Sequence, residues 1–293
     1  MKRLILLTAT CALGLTAMAQ TDTTYNPKNN DTMRIGNILI IKRGKNSTDS
    51  GKSTTVVMGR KYEKKTSSRI STNWFVFDLG FSNYSDQTDY GNTGSYLVNK
   101  PLTAALGESD FKLRSGKSIN VNIWFFLQRL NLVKRNVSLQ YGLGLELNNY
   151  RYKSAISYKE GGQRPYTSSL PTNAPYIFRD SISFSKNKLA ADYLTVPLML
   201  NFASNHAPDK RGVSVGFGVS AGYLYSQRNK QKSDERGKQK NKGEYDLEKF
   251  KLSYVAELGL GPVKLYGSYS PKSMYEHSLD MRPFTLGFRF SNW

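Results

Sequence analysis

The sequence predicts an all-β protein, an eight-stranded antiparallel up-and-down transmembrane β-barrel with long extracellular loops. Three observations predict it. Apolar and polar residues alternate with period 2 through segment after segment, so each strand has one apolar and one polar face. Long polar connections alternate with short ones. The last segment places Phe284, Leu286, Phe288 and Phe290 on one face and Thr285, Gly287 and Arg289 on the other, and the chain stops at Trp293. An apolar face that wide suits lipid. A face carrying glycine and arginine suits a narrow, wet interior.

Residues 1–19 read as an export signal. Lys2 and Arg3 are followed by the apolar run Leu4–Leu15 and by the small-x-small site Ala17-Met18-Ala19 before Gln20. The run is too short for a lone membrane anchor, and Cys11 lacks the flanking residues of a lipid-attachment site. Cys11 is the only cysteine, so the exported chain relies on sheet closure rather than disulfides. No later run is long and apolar enough for a spanning helix. A mean hydropathy of −0.51 is compatible with a barrel, because each lipid-facing residue is diluted by a lumen-facing polar one. Tyr 19, Phe 14 and Gly 24 against two His suit an aromatic-girdled barrel better than a metal enzyme. The net charge of +20 invites a nucleic-acid reading, but the basic residues concentrate in tail and loop segments, so no nucleic-acid partner is expected.

Residues 20–69 form a basic extension, expected to be periplasmic and largely irregular, with one short strand near 35–42. Ten Lys/Arg stand against two acids in residues 34–69, which fits a solvated segment or a partner-docking tail. Residues 70–293 form the barrel. The first strand, 73–84, points Phe75, Phe77, Leu79 and Phe81 outward and Val76, Asp78, Gly80 and Ser82 inward. The second, 117–129, points Ile119, Val121, Ile123, Phe125 and Leu127 outward and Asn120, Asn122, Trp124, Phe126 and Gln128 inward. The third, from Val137, alternates without a phase error as far as Asn148. The fourth, 192–202, continues its alternation through Pro197, which reads as a bulge. The fifth, sixth and seventh are 213–225, 251–261 and 263–269, with Gly261-Pro262 turning between the last two, and 282–290 closes the barrel. Segments 85–116, 153–187, 226–249 and 270–281 read as long polar loops at one end. An even strand count puts both termini in the periplasm of a Gram-negative cell, with the barrel in its outer membrane.

Strand phase brings Asp78, Glu146, Glu257, Lys264 and Arg289 into the lumen, beside Gly80, Gly142, Gly144, Gly216, Gly218, Gly259 and Gly287. Eight strands leave room for side chains and little else, so these charges must pair. The expected outcome is an ion-pair network that sets strand register; a proton or small-ion path is the sharper alternative. No catalytic, cofactor-binding or metal site is expected. Lipid-modifying chemistry would need a nucleophile beside a base, and Glu276-His277-Ser278 is a weak candidate; His206 reads as a turn residue. Arg228, Lys230, Lys232, Arg236, Lys238, Lys240 and Lys242 form a candidate anion-binding loop. A soluble lipocalin-like barrel would place its polar residues outside, the reverse of this pattern.

Ala17-Met18-Ala19-Gln20, Asp31-Thr32-Met33-Arg34-Ile35, the strand Tyr193-Leu194-Thr195-Val196-Pro197-Leu198-Met199-Leu200-Asn201-Phe202 and Gly216-Phe217-Gly218-Val219-Ser220-Ala221-Gly222-Tyr223 resemble PorT-like outer-membrane barrels. The resemblance covers roughly residues 70–293. It implies an eight-stranded barrel of the OmpA-like class, and a role in protein secretion for some relatives. The expected partners are outer-membrane lipid and lipopolysaccharide, the barrel-assembly machinery, and other envelope or secretion proteins.

Overall fold

The computed structural model describes the backbone of residues 31–35, 38–42 and 54–57, and residues 69–133, 136–204, 212–260 and 263–291. The expected signal at 1–19 with Cys11, His206, the Gly261-Pro262 turn and Trp293 lie outside the described residues. The chain divides into two units, 1–66 and 67–293. The first holds β1 (Asp31–Ile35), β2 (Ile38–Lys42) and β3 (Thr54–Val57), an antiparallel meander in that order. Where one short strand is expected over 35–42, the chain reverses between Ile35 and Ile38, which pair with each other.

The second unit holds β4 (Ile70–Asp86), β5 (Leu97–Val98), a short helix α1 (Glu108–Phe111), β6 (Ile119–Val133), β7 (Val137–Arg151), β8 (Ile156–Lys159) and β9 (Tyr176–Arg179). After these come β10 (Lys186–Ala203), β11 (Val213–Ser233), β12 (Gly237–Lys242), β13 (Phe250–Leu260), β14 (Val263–Tyr269) and β15 (Met281–Phe290). The main sheet is antiparallel and runs β10-β7-β6-β4-β15-β14-β13-β11-β12. β10 also pairs with β11, so the sheet closes into a ring and leaves β12 beside the far end of β11. No described helix is long and apolar enough to cross a membrane.

The alternation read from the sequence is the alternation of the ring wall. Phe77, Leu79, Phe81, Phe217, Leu252, Leu286, Phe288 and Phe290 are each more than half exposed. Their chain neighbours Asp78, Ser82, Ser253, Thr285 and Arg289 are buried. The apolar face is therefore the outer one, which a protein surrounded by water does not sustain over so wide an area. Gly80 and Gly287 face each other across β4 and β15. A Cβ on Gly287 would come within 2.5 Å of the Gly80 Cα, and one on Gly80 within 2.8 Å of the Tyr266 hydroxyl, so glycine lets Tyr266 lie across this seam.

Four expectations need correction. In β6 the register against β7 shifts between Trp124 and Phe126, so the phase flips: Leu127 is fully buried, and Phe126 instead meets the exposed Trp74. Pro197 makes no bulge. The β10–β7 register is the same on either side of it, and the ladder merely lapses between Thr195 and Leu198, as a residue without an N–H requires. The bulge of β10 lies at Asp192/Tyr193, against β11. Much of segment 226–249 is strand rather than loop, because β11 runs on to Ser233 and turns through Gly237 (φ 63°) into β12. The sheet consequently holds nine strands where eight are expected.

The remaining long connections also fold. β5, β9 and β8 form a small sheet, and with α1 and residues 243–249 and 270–281 they enclose an apolar core. Tyr96, Phe111, Tyr152, Ile156, Tyr158, Ile177, Tyr245 and Tyr275 fill it. The core is continuous with Tyr150, Leu189 and Tyr193 at the upper end of β7 and β10, so the folded connections form a cap over one mouth of the ring.

Candidate functional site

Inside the ring, six ionisable side chains form one connected polar plug. Arg289 on β15 grips Asp78 on β4 with two hydrogen bonds, Nε to Oδ1 and Nη2 to Oδ2, each 2.7 Å. The opposite strand position makes this inevitable, since Arg289 and Asp78 are direct cross-strand partners. Trp124 Nε1 (2.7 Å) and Asn122 Nδ2 (3.1 Å) also donate to Asp78 Oδ2, so this carboxylate is saturated. Arg289 meets Glu257 on β13 as well, and the Lys264 ammonium lies 3.5 Å from the same carboxylate. The guanidinium carbon sits 5.2 Å from the Trp124 ring centre and 5.8 Å from that of Tyr266, so two aromatic rings flank the cation.

A second pair lies nearer the cap, where Lys251 meets Glu146 and stands 5.3 Å above the Tyr193 ring. Asparagines join the two. Asn120 donates to Asn122 (3.1 Å) and Asn148 (2.9 Å), and Asn148 donates to Glu146 (2.9 Å). Tyr266 donates to Asn120. Lys264, Glu257, Arg289, Asp78, Asn122, Asn120, Asn148, Glu146 and Lys251 thus form a continuous chain of polar contacts across six strands. Asp78, Lys264, Arg289 and Glu257 are all at or below 5% exposed, so water supplies little of their solvation and their partners must supply it. The space left among Asn122, Trp124, Glu146, Thr195, Met199, Glu257, Tyr266 and Arg289 is a cavity of about 30 Å³, the room of a single water.

The five lumen residues picked from the sequence therefore fall into two clusters. Asp78, Glu257, Lys264 and Arg289 are together, while Glu146 is reached through asparagines and has Lys251 for its partner. Sequence reasoning missed Lys251, although it shares the phase of Ser253 and Glu257, because a lysine at the edge of the strand reads as the end of the charged segment before it. It also counted Trp124 as inward without seeing that an indole N–H would be aimed at a carboxylate.

In the cap, Tyr152, Tyr158 and Tyr275 form a chain of hydroxyls, 2.6 Å and then 2.7 Å apart. Burial pushes Tyr152 up to about 12 and raises Tyr158 and Tyr275 well above the ordinary tyrosine value, so all three remain proton donors at neutral pH. Arg179 holds both oxygens of Asp110 (3.0 and 2.7 Å), which ties β9 to α1. Arg236 reaches Asp180 at 2.9 Å, and Gln231 donates to Ser157 at 2.7 Å, which ties the β11–β12 hairpin to β8 and to the end of β9. His277 Nδ1 lies 2.7 Å from Asp246 Oδ1, so its partner is Asp246 on another connection rather than its neighbours Glu276 and Ser278. That hydrogen bond, and then the Asp246 charge, raise the His277 pKa.

Of the basic candidates, Arg228, Lys230 and Lys232 lie on β11 directly opposite Lys242, Lys240 and Lys238 on β12, while Arg236 turns away to Asp180. On the closing strand Phe284, Leu286, Phe288 and Phe290 form one exposed row, as the period requires.

The model of the outer membrane protein beta-barrel domain matches residues 74–291, from within β4 to the end of β15. The chain belongs to this family. No match was found among curated proteins. The protein is thus an integral outer-membrane barrel, and its exposed outer rows of Phe, Leu and Val meet lipid.

Proposed function

We propose that this protein is a sealed, non-catalytic outer-membrane barrel with eight membrane-spanning strands, both termini in the periplasm and a folded extracellular cap offered to other envelope components. Strand β12 belongs to the cap side as an extension of β11. The orientation follows from chain lengths: the breaks after β6, β10 and β13 are brief, while those after β4, β7, β11 and β14 carry the cap. The observation that carries the sealed reading is the interior itself, a buried ion-pair network around a cavity of about 30 Å³, below a tyrosine-packed cap. In planar bilayers the refolded chain is expected to give no unitary conductance. Stable conductance steps that change in Glu146→Gln would overturn the reading in favour of an ion path.

A second reading is a component of a PorT-like secretion or assembly machine, a role that the resemblance implies for some relatives. It is favoured by the basic segment 34–69 and its strands β1–β3. Deleting residues 21–66 would then release envelope partners that co-purify with the full chain, whereas unchanged co-purification removes this reading. A lipid-modifying role would need a nucleophile on His277 Nε2, and among the described residues the hydrogen bonds of His277 go to Asp246 alone, so unchanged lipid profiles in a His277→Ala strain are the expected result.

A further inference from the structure

β7, β10, β11 and β12 reach past the apolar band, and on their outward face like charges stand directly opposite one another. Arg151, Lys188, Lys230 and Lys240 are successive cross-strand partners across all four strands. A second row runs Lys186, Lys232, Lys238, and a third pairs Arg228 with Lys242. Strands lie about 4.8 Å apart, so each row sets basic side chains next to one another on neighbouring strands. Directly opposed like charges destabilise a sheet. Burial, and then the charges of Lys230, Lys186, Arg228 and Arg151, bring Lys188 down to about 8; burial, Arg228, Lys240 and Lys186 likewise lower Lys230. Within the array Arg228 is neutralised by Asp192, while Lys188 donates to the uncharged amide oxygen of Asn149 and keeps its charge uncompensated there.

Beside this array the outer wall has a groove of about 790 Å³. Leu147, Tyr223 and Tyr225 line it from the lipid-facing side, and Arg228, Lys242 and Lys249 from the cap side, with Asp192 and Glu244 as its acids. An apolar floor continuous with the lipid-facing rows and a cationic border beyond it match one occupant: an acylated molecule whose headgroup carries phosphates. A soluble polyanion would have no use for the apolar half.

We propose that the outward face of β7, β10, β11 and β12 binds a phosphorylated glycolipid of the lipopolysaccharide type, its acyl chains along Leu147, Tyr223 and Tyr225 and its phosphates on the lysine rows. This rests on the reading that the cap end faces the cell exterior. The ladder supplies several positive charges to one phosphate-bearing headgroup, and the bound phosphates in turn relieve the repulsion within the sheet.

The test uses the refolded full chain in neutral detergent, titrated with bisphosphorylated lipid A, its dephosphorylated form and inorganic phosphate, and read by thermal unfolding. Bisphosphorylated lipid A is expected to raise the melting temperature, the dephosphorylated lipid much less, and inorganic phosphate at matched concentration not at all. The variant Lys188→Gln/Lys230→Gln/Lys240→Gln should bind the lipid on the order of a hundredfold more weakly. In detergent alone it should melt higher than the parent, because the repulsion is gone. Should the triple variant fail to refold, Lys240→Gln alone, at the outermost strand, is expected to show both effects in the same directions and smaller. An undiminished lipid shift in the variant overturns the proposal, as does an equal shift with inorganic phosphate, which would mean a soluble-anion site. Labelling of Lys238 in intact cells by a membrane-impermeant amine reagent tests orientation separately. Absence of label with lipid binding retained would fault the orientation and, with it, the assignment of lipopolysaccharide, while loss of lipid binding with label retained would fault the lipid site alone.

Discussion

The molecule has two closed interiors, one above the other, filled by opposite chemistry. The ring holds Asp78, Glu146, Glu257, Lys251, Lys264 and Arg289 with asparagines and glycines; the cap holds Tyr96, Tyr152, Tyr158, Tyr275, Ile156 and Ile177. The difference comes from what lies outside each wall. Around the ring the solvent is lipid, so the apolar half of every strand is spent outward and the polar half is left to fill the lumen. Around the cap the solvent is water, so apolar groups turn inward in the ordinary way. One interior is held by paired charges that must be complete, the other by packing that tolerates small defects.

The two interiors should therefore fail differently. The largest effect belongs to Arg289→Leu, which leaves Asp78 and Glu257 facing each other without their shared cation. It should destabilise the whole barrel by about 3–5 kcal/mol, read as a lower midpoint in urea unfolding of the refolded protein. A midpoint equal to the parent's would mean the plug does not hold the ring. Next comes Tyr158→Phe, which strips the middle hydroxyl from the Tyr152–Tyr158–Tyr275 chain. A loss of about 1–3 kcal/mol is expected, confined to the cap. Hydrogen exchange should then quicken in β8 and β9 and stay unchanged in β7 and β15; acceleration throughout would show that cap and ring unfold as one body.

The smallest effect is at the cap surface. Asp246 raises the His277 pKa above its ordinary 6.5, so the pair contributes stability that is present below that value and fades as pH climbs through the raised one. Exchange at the Glu276 and His277 amides should accelerate as pH rises above 6.5, beyond the intrinsic base dependence, and His277→Ala should abolish that excess. An identical pH profile in the variant would assign the dependence to another group.

How much of this was legible from residues alone varies with the region. Alternation assigned both faces of β7 and β15 correctly throughout, because a buried and a lipid-facing side impose the period on every residue. It lost the phase in β6 at the Trp124–Phe126 shift, since a bulge adds a residue without any compositional mark, and so it put Leu127 on the wrong face. It could nominate Asp78 and Arg289 as inward, but not their pairing, which depends on which strands end up adjacent.

Sequence by itself determined the barrel class, the apolar outer face, the polar lumen and the end at which the long connections gather. These follow from local period and spacing, which any short segment carries. Tertiary structure alone decided which lumen charges pair with which, that the polar connections fold into an aromatic cap, and that the lysines of β10, β11 and β12 stand opposite one another. Each of those depends on contacts between residues far apart in the chain, as between Asp78 and Arg289 or Tyr158 and Tyr275, and only ring closure brings such residues within a few ångströms.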